Sequence, residues 1–400
     1  MFRHLLKPLW KRKSRNLMLT LELLLAFIVV FAIAAGTARY YQLYQLPTGF
    51  SHESIWSVEI ERAENRPQRE DAALLDQFKR GLEALPEVEQ VAFSSFTPYQ
   101  RATWTSSVHL PDSGASTQTD MMQVSDDFFA VLGMRLQQGR WFSTVDAGAA
   151  EAPVVINRRL ADALFPDQDA VGQLISDGEP GSNSNKLMRI TGVVEEFRNH
   201  GEFMPPTNFL LTRFSPQLSQ DGVRSMLLKL KSGTGRVFES RLSAQLKQIR
   251  NDASYRIATL SDLRTSMLNE SIIPLIVLAV IAAFLLLMVA FGLFGVLWQN
   301  TTRRIPEIGM RRAAGATAAD VYRQIIIEQL LLTSMAVSAA VVLLAQLPIT
   351  GVFGENLDWP LFLVAASVSA AIMALLSVLC ALYPAWRASR LSPTQALHYE

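Results

Sequence analysis

The sequence predicts a membrane protein with four transmembrane α-helices and a large α+β extracytoplasmic domain inserted between the first and second. Three observations carry that expectation. Apolar residues concentrate in four runs, Leu17–Gly36, Ile272–Trp298, Ile325–Leu347 and Leu361–Leu382. Each is about as long as a helix needs to cross a hydrocarbon core of roughly 30 Å. The stretch between the first two runs mixes strand-like alternation with helical spacing. Charge is also unevenly placed. The tail before Leu17, residues 299–324 and the end after Leu382 together hold 13 Lys/Arg and 3 Asp/Glu, whereas Arg39–Glu270 holds 24 and 29. Short loops rich in Lys and Arg are retained in the cytoplasm. The basic pieces, with both termini, are therefore expected inside and the mildly acidic domain outside.

The 400 residues leave room for two or three domains, and the formal net charge is only +1. No base-binding motif accompanies the basic pieces, so the asymmetry reads as topology and not as nucleic-acid binding. The single cysteine, Cys380, excludes an intramolecular disulfide and argues against a Cys-based metal site. Neither a metal nor a cofactor is expected.

In chain order, residues 1–16 form a basic cytoplasmic tail and residues 17–38 the first transmembrane helix. A signal peptide shares that polarity, but its apolar core is shorter, and the small residues of Ala32–Ala38 make no convincing cleavage site before Tyr40. The run is read as an uncleaved span. Glu22 interrupts it one to two turns from the cytoplasmic end. An acid at that depth either reaches the interface or a bundle neighbour, or makes a polar contact between subunits.

Residues 39–271 form the external domain. Strands are expected at Ile55–Ile60, Val88–Ser94, Thr103–Leu110, Met121–Val124, Val154–Ile156, Leu187–Val194, Asn208–Thr212 and Met226–Leu230. Helices are expected from about Glu70 to Leu85, at Asp126–Leu132 with Ser125 as cap, at Arg158–Phe165 and at Arg236–Arg250. Such alternation suggests an α+β domain, here of two lobes. Phe128, Phe129, Leu132 and Trp141 read as core, and Gly139 and Gly192 as turns or close packing. Asp177–Lys186 is polar and rich in Gly and Ser, as a flexible hairpin tip would be.

No catalytic constellation emerges. His52, His109 and His200 are far apart, and no G-x-S-x-G, H-E-x-x-H or P-loop G-x-x-x-x-G-K-[ST] occurs. Asp126 and Asp127 are neighbours that point apart, and Glu195 and Glu196 read as a solvated face. Without a P-loop this chain is not expected to hydrolyse ATP.

Residues 272–298 carry no charge and form the second transmembrane helix. Pro274 lies near its outer end, Gly292 and Gly295 permit close helix approach, and Trp298 marks the cytoplasmic interface. Residues 299–324 form a cytoplasmic loop with Arg303, Arg304, Arg311, Arg312 and Arg323. Pro306 suits the first turn of a short amphipathic helix, Glu307 its positive end, and Gly315 its stop. A second helix is expected from about Thr317. Residues 325–347 form the third transmembrane helix, with Glu328 and Gln329 in its first turns and small residues from Ser334 to Ala340. Residues 348–360 lack Lys and Arg, as an external loop should. Residues 361–383 form the fourth helix and 384–400 a cytoplasmic tail.

EIGMRRAAGA followed by DVYRQIIIEQLLL resembles the signature of the FtsX/MacB-type ABC transporter permeases, and YPAWRASRLSPTQALHYE resembles the ending of that family. DDFFAVLGMRLQQGRWFS, APVVINRRLADALFPDQDAVGQLI and MRITGVVEEFRNH resemble the periplasmic core domain of the MacB branch. The resemblance implies an ABC permease subunit in the bacterial inner membrane. Its segment Glu307, Ile308, Gly309, Arg311, Arg312, Gly315 and Ala316 would couple to an ABC-type P-loop ATPase. Glu22 and Glu328 would serve as intramembrane polar contacts. MacB itself carries a fused ATPase before its first span. This chain starts at that span, so the ATPase is expected on a separate polypeptide. Pro306 stands where many relatives carry a charge. The resemblance further implies a second permease subunit, identical or paralogous, and a periplasmic adaptor. The implied activity is export or extraction of a periplasmic or outer-leaflet substrate of macrolide, peptide or lipid type, driven by movement of the external domain. The rival reading is a membrane-anchored sensor or regulator of cell-envelope enzymes.

The charge asymmetry generates a topology prediction. Reporter fusions after Arg15, within 305–320 and after Arg390 should report cytoplasm, and fusions within 60–250 and near Glu355 the outside. An external signal from 305–320 would overturn both the orientation and the expected ATPase contact.

Overall fold

The computed structural model describes residues 13–61, 72–111, 115–178, 186–214, 224–352 and 354–390. Arg3, Lys7, Lys11 and Arg12 of the basic tail, the expected helix start at Glu70, most of Asp177–Lys186 and the last ten residues lie outside them. The chain divides into two compact units, residues 1–42 with 272–400 and residues 43–271.

The chain begins with α1 (Lys13–Tyr44). The 43–271 unit then runs through β1 (Ile55–Glu61), α2 (Ala72–Glu83), β2 (Val88–Ser94), β3 (Trp104–His109), β4 (Ser116–Val124), α3 (Phe128–Val131) and β5 (Leu136–Gly139). It continues with β6 (Ala152–Asn157), α4 (Arg158–Leu164), β7 (Leu174–Asp177), β8 (Lys186–Val194), β9 (Phe209–Arg213), β10 (Ser225–Leu230), α5 (Phe238–Ile249) and β11 (Ser254–Thr259).

One sheet divides into two lobes. β11, β1, β10 and β2 form an open antiparallel sheet. β4, β3, β7, β8, β6 and β9 follow in pairing order, and the parallel β4–β9 pairing closes them into a ring. The two parts meet at a single strand pair, Ser94 with Val124. Their parting leaves a cleft of about 440 Å³ beside Phe96, Gln100, Trp104 and Arg256.

Burial explains why each lobe forms. Leu75, Phe78 and Leu82 recur at helical spacing on α2, and Leu242 and Leu246 on α5. They cover one face of the open sheet in a core with Val58, Val91 and Leu228. β10 is buried along nearly its whole length because its other face lies against a second core. That core joins the lobes and holds Phe128, Leu132, Phe197, Phe209 and Leu227. Fully burying one such aromatic or leucine contributes roughly 1.5–3 kcal/mol. Phe129 and Trp141 pack against this core but are only partly buried.

Three strands, β5, β7 and β11, have no counterpart among the expected ones. β5 has the burial pattern of a mostly exposed strand, and β11 alternates exposed and half-buried residues. β5 shows no apolar alternation, and on β11 it is confined to Tyr255 and Ile257. Ser125 does not cap α3. Its hydroxyl accepts the Phe93 N–H at 3.0 Å and so ties β2 to the next turn. Glu196 is no solvated face either, since it accepts from the Asn157 amide at 3.0 Å. Asp126 and Asp127 do point apart. Asp126 takes a bidentate bond from Arg213 at 2.7 and 2.8 Å, while Asp127 pairs with Lys79.

The other unit comprises most of α1 and, from Ile272 on, α6 (Leu260–Arg303), with α7 (Ile305–Ala313), α8 (Ala318–Leu344), α9 (Gln346–Thr350) and α10 (Trp359–Ser389). α6 begins at Leu260, well before the apolar run at Ile272. Thr259 caps it by accepting the Asp262 N–H at 2.9 Å, and charged residues extend it without breaking it. Hydropathy marks only the apolar part of a helix, which is why the second element looked shorter.

α8 and α10 pack through Ala336, Ala340, Ala365, Ser369, Ser377 and Ala381, all buried. Small side chains let backbones approach where no hydrophobic drive separates helix from lipid. Thr333 and Ser377 bond each other at 2.7 Å inside this seam. Phe27, Phe31 and Leu293 from α1 and α6 fill the same core with Phe362. Gly295 has open space where helix approach was expected.

Gly139 and Gly192 give the fold a test. Gly139 has φ +70°, and a Cβ there would lie 2.3 Å from the Thr191 carbonyl oxygen. Gly148 has φ +87° but nothing within 4 Å of its Cβ site. Gly139→Ala therefore combines backbone strain with a clash and should cost about 2–4 kcal/mol, while Gly148→Ala, strained only, should cost about 1 kcal/mol. Melting the purified chain checks this: equal shifts for the two variants would refute the close packing of β5 on β8.

Candidate functional site

The segment singled out in the sequence becomes a short helix held on a scaffold. Pro306 sits in the first turn of α7 and Glu307 beside its N-terminus. Gly315, at φ +99°, reverses the chain after α7, a conformation that costs glycine little. Thr317 then starts α8 with a reciprocal cap. Its hydroxyl accepts the Asp320 N–H at 3.2 Å, and Asp320 accepts the Thr317 N–H at 3.0 Å.

The residues of the segment divide by direction. Ile305, Ile308 and Gly309 are buried. Ile308 packs with Val321 of α8 and Ala388 of α10. Pro306, Glu307, Met310, Arg311, Ala313, Ala314 and Gly315 are exposed, Met310 by 59%. Arg312 donates to the Ser389 carbonyl at the end of α10. Ala316 is half-buried, and its N–H bonds the Arg311 carbonyl at 3.0 Å.

One polar chain runs under the helix. Arg311 donates to Glu307 at 2.7 Å and to Gln324 at 2.8 Å. Gln324 donates to Glu328 at 2.9 Å, and Glu328 accepts from Arg304 at 2.6 Å. Arg304 precedes α7, so the chain closes from its start to α8. The Glu307–Arg311 pair is half exposed, and such i,i+4 pairs contribute only about 0.3–0.5 kcal/mol. The Arg304–Glu328 pair is more enclosed, at 27% and 24% side-chain exposure. Glu22, the other intramembrane acid, lies over Gly292, where a Cβ would come within 3.0 Å of its Oε1. Within this chain it meets a bundle neighbour.

The 43–271 unit holds a second polar construction. Arg198, 3% exposed, donates to the carbonyls of Leu43 and Leu46 at 3.0 Å each. Its other nitrogen donates to the carbonyls of Glu202 at 2.5 Å and Met204 at 2.6 Å. Glu202, itself buried, accepts from Arg264 of α6 at 2.5 Å. One short loop thus grips both Leu43–Leu46 and the first turns of α6. Tyr99 completes the cluster at φ +65°, its N–H bonded to the Asn199 carbonyl at 2.8 Å. Burial raises its phenol above the ordinary range, and the Glu202 carboxylate adds to that. Burial and the Arg264 charge hold the His52 imidazole below its usual 6.5. His109 and His200 bond the Gly178 and Gln100 carbonyls at 3.0 and 2.8 Å, apart from each other.

Comparison with known proteins decides the family. The model of the MacB-like periplasmic core domain matches residues 18–237, and that of the FtsX-like permease C-terminal region matches residues 279–393. The chain belongs to the MacB/FtsX-type ABC transporter permeases. It is 25% identical to the macrolide export ATP-binding/permease protein MacB of Agrobacterium fabrum, covering 97% of this chain and 59% of that one. It is 26% identical to MacB 2 of Aeromonas hydrophila over 69% of this chain and 43% of the relative. The permease thus spans about half the length of these curated relatives. It is 21% identical to the uncharacterized ABC transporter permease YknZ of Bacillus subtilis, covering 92% and 87% of the two chains. The crystal structure of the periplasmic region of MacB from Actinobacillus actinomycetemcomitans aligns at 14% identity and a TM-score of 0.40, over 57% of this chain and 98% of that one. With the two family models and four helices long and apolar enough to cross a membrane, the permease is a multi-pass inner-membrane protein with a periplasmic domain.

Sequence reading of the permease missed the Arg198 cluster. Arg198 stands in MRITGVVEEFRNH, which carries only a family resemblance, and Glu202 lies just beyond it. A charged residue in a loop signals solvent unless its burial is known, and the carbonyls it binds leave no trace in side-chain identity.

The cluster predicts a pH response. An imidazole held below its unfolded value of 6.5 stabilises the folded form fully above that pH and less as the pH falls through the folded value. The melting temperature of the permease should therefore drop between pH 7.5 and 5.5, and His52→Gln should reduce that slope. An unchanged slope in the variant would place the sensitivity elsewhere.

Proposed function

We propose that this permease couples ATP hydrolysis by an ABC-type ATPase on a separate chain to movement of its periplasmic domain, with α7 as the docking element. The single observation that carries the reading is the division of α7. One face is buried on α8 and α10, and the other is exposed and led by Met310. Pushed by a partner, a helix tied at both ends moves with its scaffold. Arg304–Glu328 transmits displacement to α8, and Arg312 with Ser389 transmits it to α10.

In this reading the signature residues take different tasks. Glu307 and Arg311 stand on the exposed side and pair with each other until a partner offers better contacts. Ile308 and Gly309 act through the seat of the helix, and Gly315 and Ala316 through the turn that follows. Glu328 holds the seat, and Glu22 contributes to the bundle. In the periplasmic unit, the Arg198–Glu202–Arg264 loop is the element suited to carry motion of α6 into the core. A second permease subunit completes the transporter, with a periplasmic adaptor where the cargo must cross further. The names of the MacB relatives favour export of a macrolide-like or similarly amphipathic substrate from the periplasm or outer leaflet.

The test is association with the cognate ATPase. Met310→Asp places an unpaired charge at the centre of the exposed face without touching the buried one. Co-purification of ATPase and stimulated hydrolysis should fall at least tenfold, since burying an uncompensated charge at an interface costs about 2–5 kcal/mol. Insertion and permease self-association should persist, as they should for the control Arg12→Gln. Full ATPase association and transport in Met310→Asp would reduce the segment to a basic connector and overturn the reading.

A further inference from the structure

In the family ending YPAWRASR, Tyr383, Trp386, Arg387 and Arg390 form part of a surface feature that the docking role does not use. Phe294 and Trp298 of α6 face Tyr383 and Trp386 of α10. The Trp298 and Tyr383 rings stack at 5.9 Å with an interplanar angle of 9°. Phe294 lies 6.2 Å from both of them, and Trp386 lies 6.1 Å from Tyr383. Arg387 places its guanidinium carbon 4.4 Å from the Trp298 ring centre, and Arg390 places its own 4.5 Å from that of Trp386. Spacing builds both halves. Tyr383 and Arg387, like Trp386 and Arg390, are one helical turn apart and share a face of α10.

The rings and cations remain accessible. Tyr383 is 50% exposed, Trp386 46% and Phe294 37%, and both arginines are exposed. Among the described residues, neither guanidinium meets a carboxylate within ion-pair distance. Stacking occupies the flat face of a guanidinium and leaves its N–H edge free, the edge that matches two oxygens of a phosphate. The aromatic ledge then continues into an apolar surface. Met288 and Phe291 on α6 and Leu375 and Leu379 on α10 are all more than half exposed.

We propose that this ledge is a binding site for an anionic diacyl phospholipid. Its phosphate lies against Arg387 and Arg390, its glycerol region against Trp298, Tyr383 and Trp386, and its acyl chains along Met288, Phe291, Leu375 and Leu379. A cationic edge, a belt of exposed rings and an apolar face in sequence are the profile of an amphiphile and not of an acidic protein, which would need no apolar continuation. Aromatic residues with Lys or Arg at helix ends are at home in the headgroup layer, and anionic headgroups attract each nearby cation. The site does not depend on the ATPase reading, because it requires only that α6 and α10 cross a bilayer.

Tryptophan fluorescence tests it in the intact permease. The protein in mixed micelles is titrated with phosphatidylglycerol brominated in its acyl chains and, separately, with brominated phosphatidylcholine. Trp298→Phe/Trp386→Phe supplies the background from the remaining tryptophans. Wild type should show quenching at the ledge with roughly 25-fold preference for phosphatidylglycerol, about fivefold for each of the two arginines. Arg387→Gln/Arg390→Gln should lose that preference, at about fivefold for each charge removed. Arg387→Lys/Arg390→Lys, which keeps charge but loses the planar edge, should fall between them. Arg135→Gln, an exposed change in the other unit, should behave as wild type. Equal quenching by both lipids, or a preference that survives in the double Gln variant, would overturn the proposal. So would preference lost equally in Arg135→Gln. Size-exclusion profiles and melting temperatures of all variants must match wild type. If the double Gln variant fails that check, the Lys pair decides: wild-type preference there would refute bidentate recognition and with it the site.

Discussion

Hydrocarbon offers a backbone no hydrogen-bonding partner, and most of this structure follows from that constraint. Every crossing segment must satisfy its own N–H and C=O groups, so each is a helix. Once the helices exist, lipid gives them no hydrophobic reason to associate, and close contact must do the work. Hence the seam of Ala336, Ala340, Ala365 and Ala381, with Thr333 and Ser377 bonded at its centre. The same logic governs the acids. Glu328 is held by Arg304 and Gln324, and Glu22 lies over a glycine that leaves it room. An intramembrane carboxylate without such an arrangement would be expensive.

What the sequence revealed depended on how local its cause was. Four apolar runs are local, and so are Pro306 at a helix start, Gly315 at its stop and the start of a second helix at about Thr317; all appear in the structure where the residues place them. Strands with an apolar face, such as Val88–Ser94, were equally legible. β5 was not, because its pairing partner and not its side chains makes it a strand. The start of α6 was hidden for a related reason. Asp262, Arg264 and Glu270 are polar, and a hydropathy pattern ends where they begin, although the helix does not.

The site shows the same division more sharply. The EIGMRRAAGA signature marks a segment that forms a short helix but could not say which residues face outward. That depends on Val321 and Ala388, which come from α8 and α10 and bury Ile308. Gly309, attractive in sequence as a point of close approach to a partner, is buried within its own unit. The Arg198 cluster is the extreme case. Four carbonyl oxygens hold one guanidinium, and carbonyls are common to every residue, so no pattern of side chains announces them.

These two polar constructions share a physical principle. An exposed ion pair is weak and easily exchanged, whereas a buried cation surrounded by fixed acceptors is costly to disturb. Glu307 with Arg311 is of the first kind: half exposed, one turn apart and free to reorganise when another surface approaches. Arg198 is of the second, with its four carbonyl bonds made inside the fold. A protein that must accept a partner at one place and hold a loop rigid at another needs both kinds. Arg304 with Glu328 lies between them in exposure, and it joins the start of the short helix to α8. If α7 docks a partner as proposed, that intermediate pair is where contact at an exchangeable surface would be passed to α8.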